Sequence, residues 1–389
     1  MQAQAIENNS PKVRSIRTLK QWIQQGQLPA GEQLPAENEL ARLLDVSRTT
    51  VRAAVKSLEE QDLLRYNQNR RRIVVGPAPR RGGVVSETVV ILTHLPDKPP
   101  GSNPLQSQTG WERYIQIGLI EAIREAGMHA LTVQVDLLRN DLIKSLTDEH
   151  PRGLVVMRPS LHPSASLELA ITLRDQRVPV VFYGYTDLAK FDTVTSDSAA
   201  GSYELTKWLI STGRRRLLRV WTAITNGNNP EWRRHRCEGF ERAIAEHNLE
   251  LLPELNFPNL WDPSNDTREN FEMRVRLMVG YLFGHLNGPN AADALVALTD
   301  GDCYVLAAAC RILGKEPNKD ISIVGYDNYW QDSPDRRWET TAPLATVDKL
   351  NVKLGYELMA LLKARMDGAL PAEPQIHMIK PELQIVDAA

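Results

Sequence analysis

The chain has 389 residues, of which 42% are hydrophobic and 24% are charged, and its formal net charge is -2. This composition excludes a fibrous or largely disordered protein, and the length predicts a small domain joined to a large one. No run approaches the ~18 apolar residues of a membrane span, and the N-terminus lacks the apolar core of a signal peptide, so we expect a cytoplasmic protein.

Charge is distributed unevenly along the chain. Residues 11–81 hold 14 Lys and Arg against 7 Asp and Glu, whereas residues 82–389 hold 32 against 40. A basic N-terminal segment on an acidic body predicts that this segment alone binds a polyanion.

The basic segment has the pattern of three helices followed by a two-stranded ribbon. Apolar residues at helical spacing predict a first helix over residues 12–25 and a second, shorter helix after it. Ser47 is suited to cap a third helix, in which an apolar stripe faces inward and a basic face points outward. Residues 63–75 predict two short strands around a basic tip. The sequence therefore predicts a winged helix-turn-helix over residues 11–75.

The rest of the chain predicts a linker and a large α/β domain. Residues 76–87 combine Pro, Gly and Arg without periodicity, which is typical of an interdomain linker. Residues 88–389 alternate short apolar strands with helices, as βαβ units around a parallel sheet do, and there are too many units for one modest sheet. The predicted fold class is α/β, with a small winged helix-turn-helix head followed by a parallel-sheet domain of two similar lobes.

Residues 26–64, from GQLPAGEQLPAENEL to SLEEQDLL, resemble the GntR family of winged-helix regulators. The resemblance implies a recognition helix that reads operator DNA, where Arg can pair with guanine and Thr can contact phosphate or a base edge. It also implies that one position on the preceding helix, where the family often has Arg, approaches the DNA. The residues at these positions are Asn38, Arg48, Thr49, Thr50 and Arg52.

The expected wing departs from that family, which usually has a Gly-rich tip. This chain has YNQNRRRI instead. Arg70 and Arg71 are therefore expected to contact phosphates or the minor groove through their charge. The alternative for the whole basic surface is an ordinary solvated charged face.

Three stretches of the large domain resemble the LacI-type, periplasmic-sugar-binding-like domain. Residues 194–216 carry its spaced Asp, Gly, Leu and Gly-Arg, residues 236–244 its R-x-x-G-F, and residues 320–328 its D-I-S-x-x-G-[FY]-D. The resemblance implies two doubly wound lobes joined by crossing strands, with ligand in the cleft at the carboxyl ends of the strands.

The same resemblance implies effector-binding residues. Arg236 is implied to clamp ligand oxygens, since its planar donor fork suits hydroxyls or a carboxylate. The acidic ligand-binding residue falls on Asp300, or on Asp302 if the helix start is shifted, and an aromatic residue that can stack on a sugar falls near Trp261. Alternatively, the buried Arg and Asp pair with each other and the Trp belongs to the core.

Strand ends add further candidates. His94 and Tyr183 end predicted strands and are expected to point toward the mouth of the cleft, although residues at such positions are often simply packed. Asp197 and Asp327 match family positions where strands change lobes, and we favour a turn or hinge role for them. The family often has Thr-Val-x-Gln-Pro near the hinge, whereas this chain has TVDKL, which leaves lobe coupling and ligand choice open.

These features predict a ligand-responsive transcriptional regulator, with repression as the favoured outcome. It is expected to bind a pseudo-palindromic operator as a homodimer, because one recognition helix reads few base pairs, and to respond to a sugar or sugar derivative. We expect no enzyme activity, no cofactor and no metal, since the sequence has no phosphate loop, no G-x-S-x-G and no His/Cys cluster. The alternative is a DNA-binding regulator whose cleft no longer binds a ligand.

Overall fold

The computed structural model describes residues 10–24, 27–29, 32–60, 63–66, 71–74, 84–93, 110–135, 138–157, 165–184, 190–223, 230–258 and 266–386. The chain divides into two compact units, Met1–Ser86 and Glu87–Ala389, which are called unit 1 and unit 2 below. Each unit has its own hydrophobic core.

The described residues of unit 1 form three α-helices and an antiparallel two-stranded ribbon. Leucine and valine side chains spaced at helical intervals face inward from these helices. Leu19, Leu40, Val51, Val55 and Leu58 belong to one core. This agrees with the predicted arrangement of three helices and a ribbon. The elements are α1 (Pro11–Gln24), α2 (Glu37–Leu43), α3 (Arg48–Glu60), β1 (Leu64–Tyr66) and β2 (Arg72–Val74).

Unit 2 alternates strands and helices along its whole length. Its strands are β3 (Thr88–Thr93), β4 (His129–Gln134), β5 (Gly153–Val156), β6 (Val180–Tyr183), β7 (Asp192–Ser196), β8 (Leu217–Thr222), β9 (Leu255–Phe257), β10 (Ala294–Ala297), β11 (Ser322–Val324), β12 (Ala345–Asp348), β13 (Ile376–Ile379) and β14 (Glu382–Ile385). Its helices are α4 (Gly110–Glu125), α5 (Asn140–Glu149), α6 (Ala165–Asp175), α7 (Ser198–Ser211), α8 (Glu231–Glu246), α9 (Arg268–Leu286), α10 (Asp300–Ile312) and α11 (Asn351–Met366).

The strands form two six-stranded sheets, one in each lobe. Lobe 1 has the order β13-β7-β6-β5-β3-β4 and lobe 2 the order β14-β12-β11-β10-β8-β9. All pairs are parallel except β12 with β14. In β3, Val89 and Ile91 enter the core on one face of the sheet and Val90 and Leu92 the core on the other, so helices cover both faces. The predicted two-lobed, doubly wound architecture is confirmed.

The chain passes between the lobes three times, from β7 to α7, from β12 to α11, and from β13 to β14. Glycines allow the helices at two of these crossings to pack closely. A Cβ on Gly118 in α4 would lie 2.1 Å from the carbonyl oxygen of Val352 in α11. A Cβ on Gly239 in α8 would lie 2.1 Å from the carbonyl oxygen of Ala199 in α7. The glycine of the R-x-x-G-F motif is therefore required for packing inside lobe 2.

Candidate DNA interface and effector cleft

The predicted recognition helix corresponds to α3. Ser47 caps its N-terminus as expected, because the Ser47 hydroxyl accepts a hydrogen bond from the Thr50 backbone N–H at 3.1 Å. The same hydroxyl lies 2.8 Å from the Thr50 hydroxyl. Arg48, Thr49 and Arg52 are exposed and Thr50 is half-buried. The first turn of α3 therefore presents two guanidinium groups and a hydroxyl to solvent.

Arg52 is held by a carboxylate of the preceding helix. Its Nη2 and Nε donate to Glu37 Oε2 at 2.8 and 3.2 Å, although 64% of the Arg52 side chain is exposed. Arg72 in β2 donates to the other oxygen of Glu37 at 3.1 Å and also pairs with Glu59 in α3. The hydrogen bond from Arg52 holds the pKa of Glu37 below its ordinary value, so the carboxylate stays charged. This network joins α2, α3 and the ribbon and orients Arg52.

The remaining predicted DNA contacts lie on α2 and at the ribbon. Asn38 is exposed on α2, one residue from Glu37. Arg71 is exposed just before β2 and donates from Nη1 to Gln33 Oε1 at 3.0 Å. Arg70 lies outside the described residues.

In lobe 1, the candidate cleft residue Tyr183 is the last residue of β6. Only 7% of its surface is exposed, and it belongs to the core between the sheet and α4 and α11. Its ring centroid lies 5.9 Å from that of Trp111 in α4. Tyr183 therefore supports the cleft wall more than it lines the mouth. His94 and Trp261, the other two aromatic candidates, lie outside the described residues.

In lobe 2, Arg236 is a buried cation with 5% of its surface exposed. Its Nη1 donates to the Leu298 carbonyl at 2.7 Å and its Nη2 to Asp327 Oδ1 at 2.9 Å. The guanidinium carbon lies 3.5 Å from the Tyr326 ring centroid and 4.9 Å from that of Trp232. Its Nε has no hydrogen-bond partner among the described residues. The clamp is thus fixed in position and retains an unused donor.

Asp300 is fully buried at the start of α10. Its Oδ1 accepts from the Thr346 hydroxyl at 2.7 Å and its Oδ2 from the Tyr329 backbone N–H at 2.8 Å. Burial raises the pKa of Asp300 to about 8, and the charge of Asp327 adds to this. Asp302 lies two residues later in α10 and is partly exposed. Desolvation raises its pKa to about 6. Of the two candidate acidic residues, only Asp302 therefore has exposed surface that a ligand could contact.

Asp327 follows β11 and is the carboxylate that pairs with Arg236. It also accepts from Lys349 Nζ at 3.1 Å, so two cations share one oxygen. Burial pushes the pKa of Asp327 upward, but Lys349 and Arg236 more than offset this and its pKa is lowered. The Arg–Asp pair considered from the sequence does exist, but with Asp327 in place of Asp300. Sequence reasoning gave Asp327 only a turn role, and it missed Lys349 and Trp111.

Asp197 has the turn role expected of it. Its Oδ1 accepts from the Ala200 backbone N–H at 2.9 Å and caps α7, immediately after β7. This cap starts the first helix of lobe 2 at a crossing between lobes.

Two family models match separate parts of this chain. Residues 14–74 match "Bacterial regulatory proteins, gntR family", and residues 206–385 match "Periplasmic binding protein-like domain". The chain therefore contains a GntR-type helix-turn-helix domain and a periplasmic-binding-like, LacI-type domain. Both resemblances inferred from its motifs are thereby confirmed.

Relatives of the regulator are transcriptional repressors. It is 24% identical to the arabinose metabolism transcriptional repressor of Geobacillus stearothermophilus, over 83% of this chain and 84% of that protein. It is 27% identical to the repressor PurR of Histophilus somni (strain 129Pt), over 60% of this chain and 63% of that protein, so it spans somewhat less than two thirds of PurR. These relatives confirm the prediction of a DNA-binding transcriptional regulator, not an enzyme.

Solved structures share the regulator's fold. One match is a complex of the transcriptional regulator CelR with cellobiose. The matched region covers 90% of this chain and 99% of the CelR chain, with a TM-score of 0.58 and 18% identity. A second match is the transcription regulator CcpA of Lactococcus lactis. That match covers 76% of this chain and 97% of the CcpA chain, with a TM-score of 0.55 and 19% identity. Within the described ranges, no helix has the length and apolar character needed to cross a membrane, and no cluster of His, Cys, Asp or Glu is arranged to hold a metal ion.

Proposed function

We propose that this regulator is a cytoplasmic repressor that binds its operator as a homodimer and is controlled by a sugar or sugar derivative bound between the lobes of unit 2. The observation that carries the effector proposal is the clamp at Arg236, which is buried against two aromatic rings and retains a free Nε donor. Polyhydroxylated ligands combine acceptor oxygens with apolar ring faces, and this site offers a complement to both.

The DNA contacts are proposed to come from α3, α2 and the wing. Support comes from the exposure of Arg48 and Thr49 and from the carboxylate that orients Arg52. Residues 11–75 would form the DNA-binding domain and residues 76–87 a linker to the sensor. An operator can be obtained by selecting duplexes from a random library with the full chain. The proposed contacts are Asn38, Arg48, Thr49, Thr50, Arg52, Arg70 and Arg71.

The proposed homodimer is supported by apolar side chains left exposed on unit 2. On α9, Met273, Leu277 and Tyr281 follow one another at intervals of four residues and so form a stripe on one face of the helix. On lobe 1, Ile117 and Ile120 of α4 are similarly exposed. Burial of such stripes against a second copy would remove them from water and bring two winged helices to one operator.

A charge placed on the α9 stripe tests the dimer. Leu277 is 43% exposed, and Leu277→Glu is expected to convert the dimer to a monomer. A carboxylate at a twofold contact lies against the same carboxylate of the second copy, and the two repel each other. Sedimentation velocity measures the change. Ile171→Glu is the control, since Ile171 is exposed to a similar extent on α6. A dimer that survives Leu277→Glu would contradict the use of this face.

The effector site is proposed to be formed by Arg236, Tyr183 and an acidic residue at the start of α10, with His94 and Trp261. Of the two acidic candidates, Asp302 has the exposed surface, whereas Asp300 is buried. The effector is expected to close the lobes and thereby to change how the two heads are presented to DNA, as a shift between existing populations.

A thermal-shift screen of the full chain tests the effector proposal. Arabinose and cellobiose are the first probes, because they stand in the names of similar proteins, followed by other sugars, sugar acids and nucleosides. A ligand that binds only the native state raises the melting temperature. The shift should be lost in Arg236→Ala but kept in Arg234→Ala, a neighbouring arginine that is exposed on the same helix.

One observation favours the alternative of a cleft that binds no ligand. Both oxygens of Asp300 are occupied by groups of the protein itself. If that arrangement is permanent, no compound in the screen will stabilise unit 2, and DNA binding would stand alone.

A further inference from the structure

One buried cation occupies the segment where the chain passes from lobe 2 to lobe 1. Lys349 follows β12 and precedes α11 by two residues, and only 5% of its surface is exposed. A lysine is almost never buried to this extent unless its ammonium group is paired. The contacts of this side chain therefore show what its position in the fold requires.

Lys349 contacts both lobes at once. On the lobe 2 side, its Nζ lies 3.1 Å from Asp327 Oδ1. On the lobe 1 side, the same Nζ lies 3.7 Å from the ring centroid of Trp111 in α4. An ammonium group over an indole face is attracted by the ring quadrupole, and the attraction is stronger where water is excluded. One side chain thus binds a carboxylate in one lobe and an aromatic ring in the other.

These contacts connect the two walls of the proposed cleft. Trp111 packs against Tyr183 in lobe 1, with ring centroids 5.9 Å apart. Asp327 accepts from Arg236 in lobe 2 at 2.9 Å. Tyr183 and Arg236 are proposed effector contacts, one in each lobe. A continuous series of contacts therefore runs from one effector contact through Lys349 to the other.

The backbone beside Lys349 has an uncommon conformation. Leu350, the residue before α11, has φ 59° and ψ 53°, in the left-handed region that residues with a Cβ disfavour. The proline often found here in the LacI-type pattern cannot adopt a positive φ. The residue directly after Lys349 therefore has a strained backbone conformation, at the point where the chain crosses between the lobes.

We propose that Lys349 is a positioning residue that holds the two lobes together in the arrangement described here by binding Asp327 and Trp111 at once. The inference rests on the proposed effector cleft, because closure matters for control only if a ligand acts through it. An effector between Tyr183 and Arg236 then reinforces a closure that Lys349 already favours. A neutral side chain at this position loses both attractions and shifts the population toward open lobes.

The distance between the lobes tests this role without any effector. Spin labels are placed at Lys144→Cys in α5 of lobe 1 and at Lys319→Cys in lobe 2, two exposed positions, in a full chain that also carries Cys237→Ser. Labelled chain is diluted with unlabelled chain, so that electron–electron dipolar measurements report distances within one molecule. The wild type is compared with Lys349→Met, Lys349→Gln and Lys349→Arg.

The charge of residue 349 should set the result. Lys349→Met and Lys349→Gln are expected to shift the distribution to longer distances, and Lys349→Arg, which keeps a cation over the indole, to restore the short distance. Tyr114→Phe is the matched control, since it removes a solvent-exposed hydrogen bond of 2.6 Å from Tyr114 to Asp332 in lobe 2 and leaves the buried cation in place. It is expected to have the smaller effect.

Two results would overturn the proposal. One is a wild-type distance distribution in a folded Lys349→Gln or Lys349→Met chain. The other is an equal lengthening in Lys349→Arg, which would mean that packing, not charge, holds the lobes. Neither result bears on whether an effector binds, because that is decided by the separate loss of thermal stabilisation in Arg236→Ala.

Discussion

The buried carboxyl group of Asp300 makes the stability of unit 2 depend on pH in a predictable direction. Burial raises its pKa in the folded protein to about 8, whereas an aspartate in an unfolded chain titrates near ~3.9. Between these two values the folded state keeps the proton and the unfolded state releases it. The contribution of Asp300 to stability is therefore greatest at acid pH and falls as the pH rises toward 8. Asp300→Asn keeps the shape of the side chain and one acceptor oxygen but removes this titration.

The size of the effect follows from the separation of the two pKa values. Each pH unit between them costs ~1.4 kcal/mol of unfolding free energy, so wild type should lose about 3 kcal/mol between pH 5 and pH 7 that Asp300→Asn does not lose. Because Asp300 has no exposed surface, solvent screening does not reduce this difference. The substitution is thus expected to stabilise unit 2 at neutral pH.

Urea unfolding followed by tryptophan fluorescence measures the difference. All tryptophans except Trp22 lie in unit 2, so the signal reports on that unit. Asp302→Asn is the matched control, since the pKa of Asp302 is raised only to about 6 and its influence should end at lower pH. Parallel pH profiles for wild type and Asp300→Asn would refute the buried, neutral Asp300.

Two further variants test the packing of lobe 2 and the contacts of the wing. Gly239→Ala is expected to destabilise unit 2 by about 1–3 kcal/mol in urea unfolding, because its Cβ would lie 2.1 Å from the Ala199 carbonyl oxygen. Gly280→Ala, where a Cβ meets nothing within 4 Å, should be neutral or stabilise by up to ~1 kcal/mol, and equal losses in both would contradict the packing argument. Replacement of Arg70 and Arg71 together by Ala should lower the slope of log affinity against log salt by about four in anisotropy titrations, because each subunit of the proposed dimer loses two phosphate contacts. An unchanged slope would exclude a charge contact from the wing.

Much of the fold was predictable because its signals are local. The cap at Ser47, the apolar stripe of α3 and the two strands of the ribbon are each encoded within a few neighbouring residues. The long helices of unit 2 were predicted to within a few residues; α9, for example, covers 268–286 as expected. Some short elements escaped prediction. The helix α5 has only ten residues and β13 is an edge strand of four, so each gives a shorter signal than the long helices.

The candidate site was less predictable because its contacts are distant in sequence. Arg236 was identified by motif, but its partner Asp327 is 91 residues away, and no local pattern indicates that pairing. The burial of Lys349 was equally unforeseen, since lysine is usually a surface residue. The only signal was the departure from the Thr-Val-x-Gln-Pro pattern, and it indicated where the chain differs without indicating which groups it would contact.

A ligand in the cleft of unit 2 is proposed to control the binding of operator DNA by unit 1. The most direct measurement is the anisotropy of a labelled operator, selected with the full chain, titrated with and without the sugar that stabilises the protein in the thermal-shift screen. The sugar is expected to change the operator Kd for wild type and to have no effect on Arg236→Ala. An operator Kd that is the same with and without a bound, stabilising sugar would contradict it.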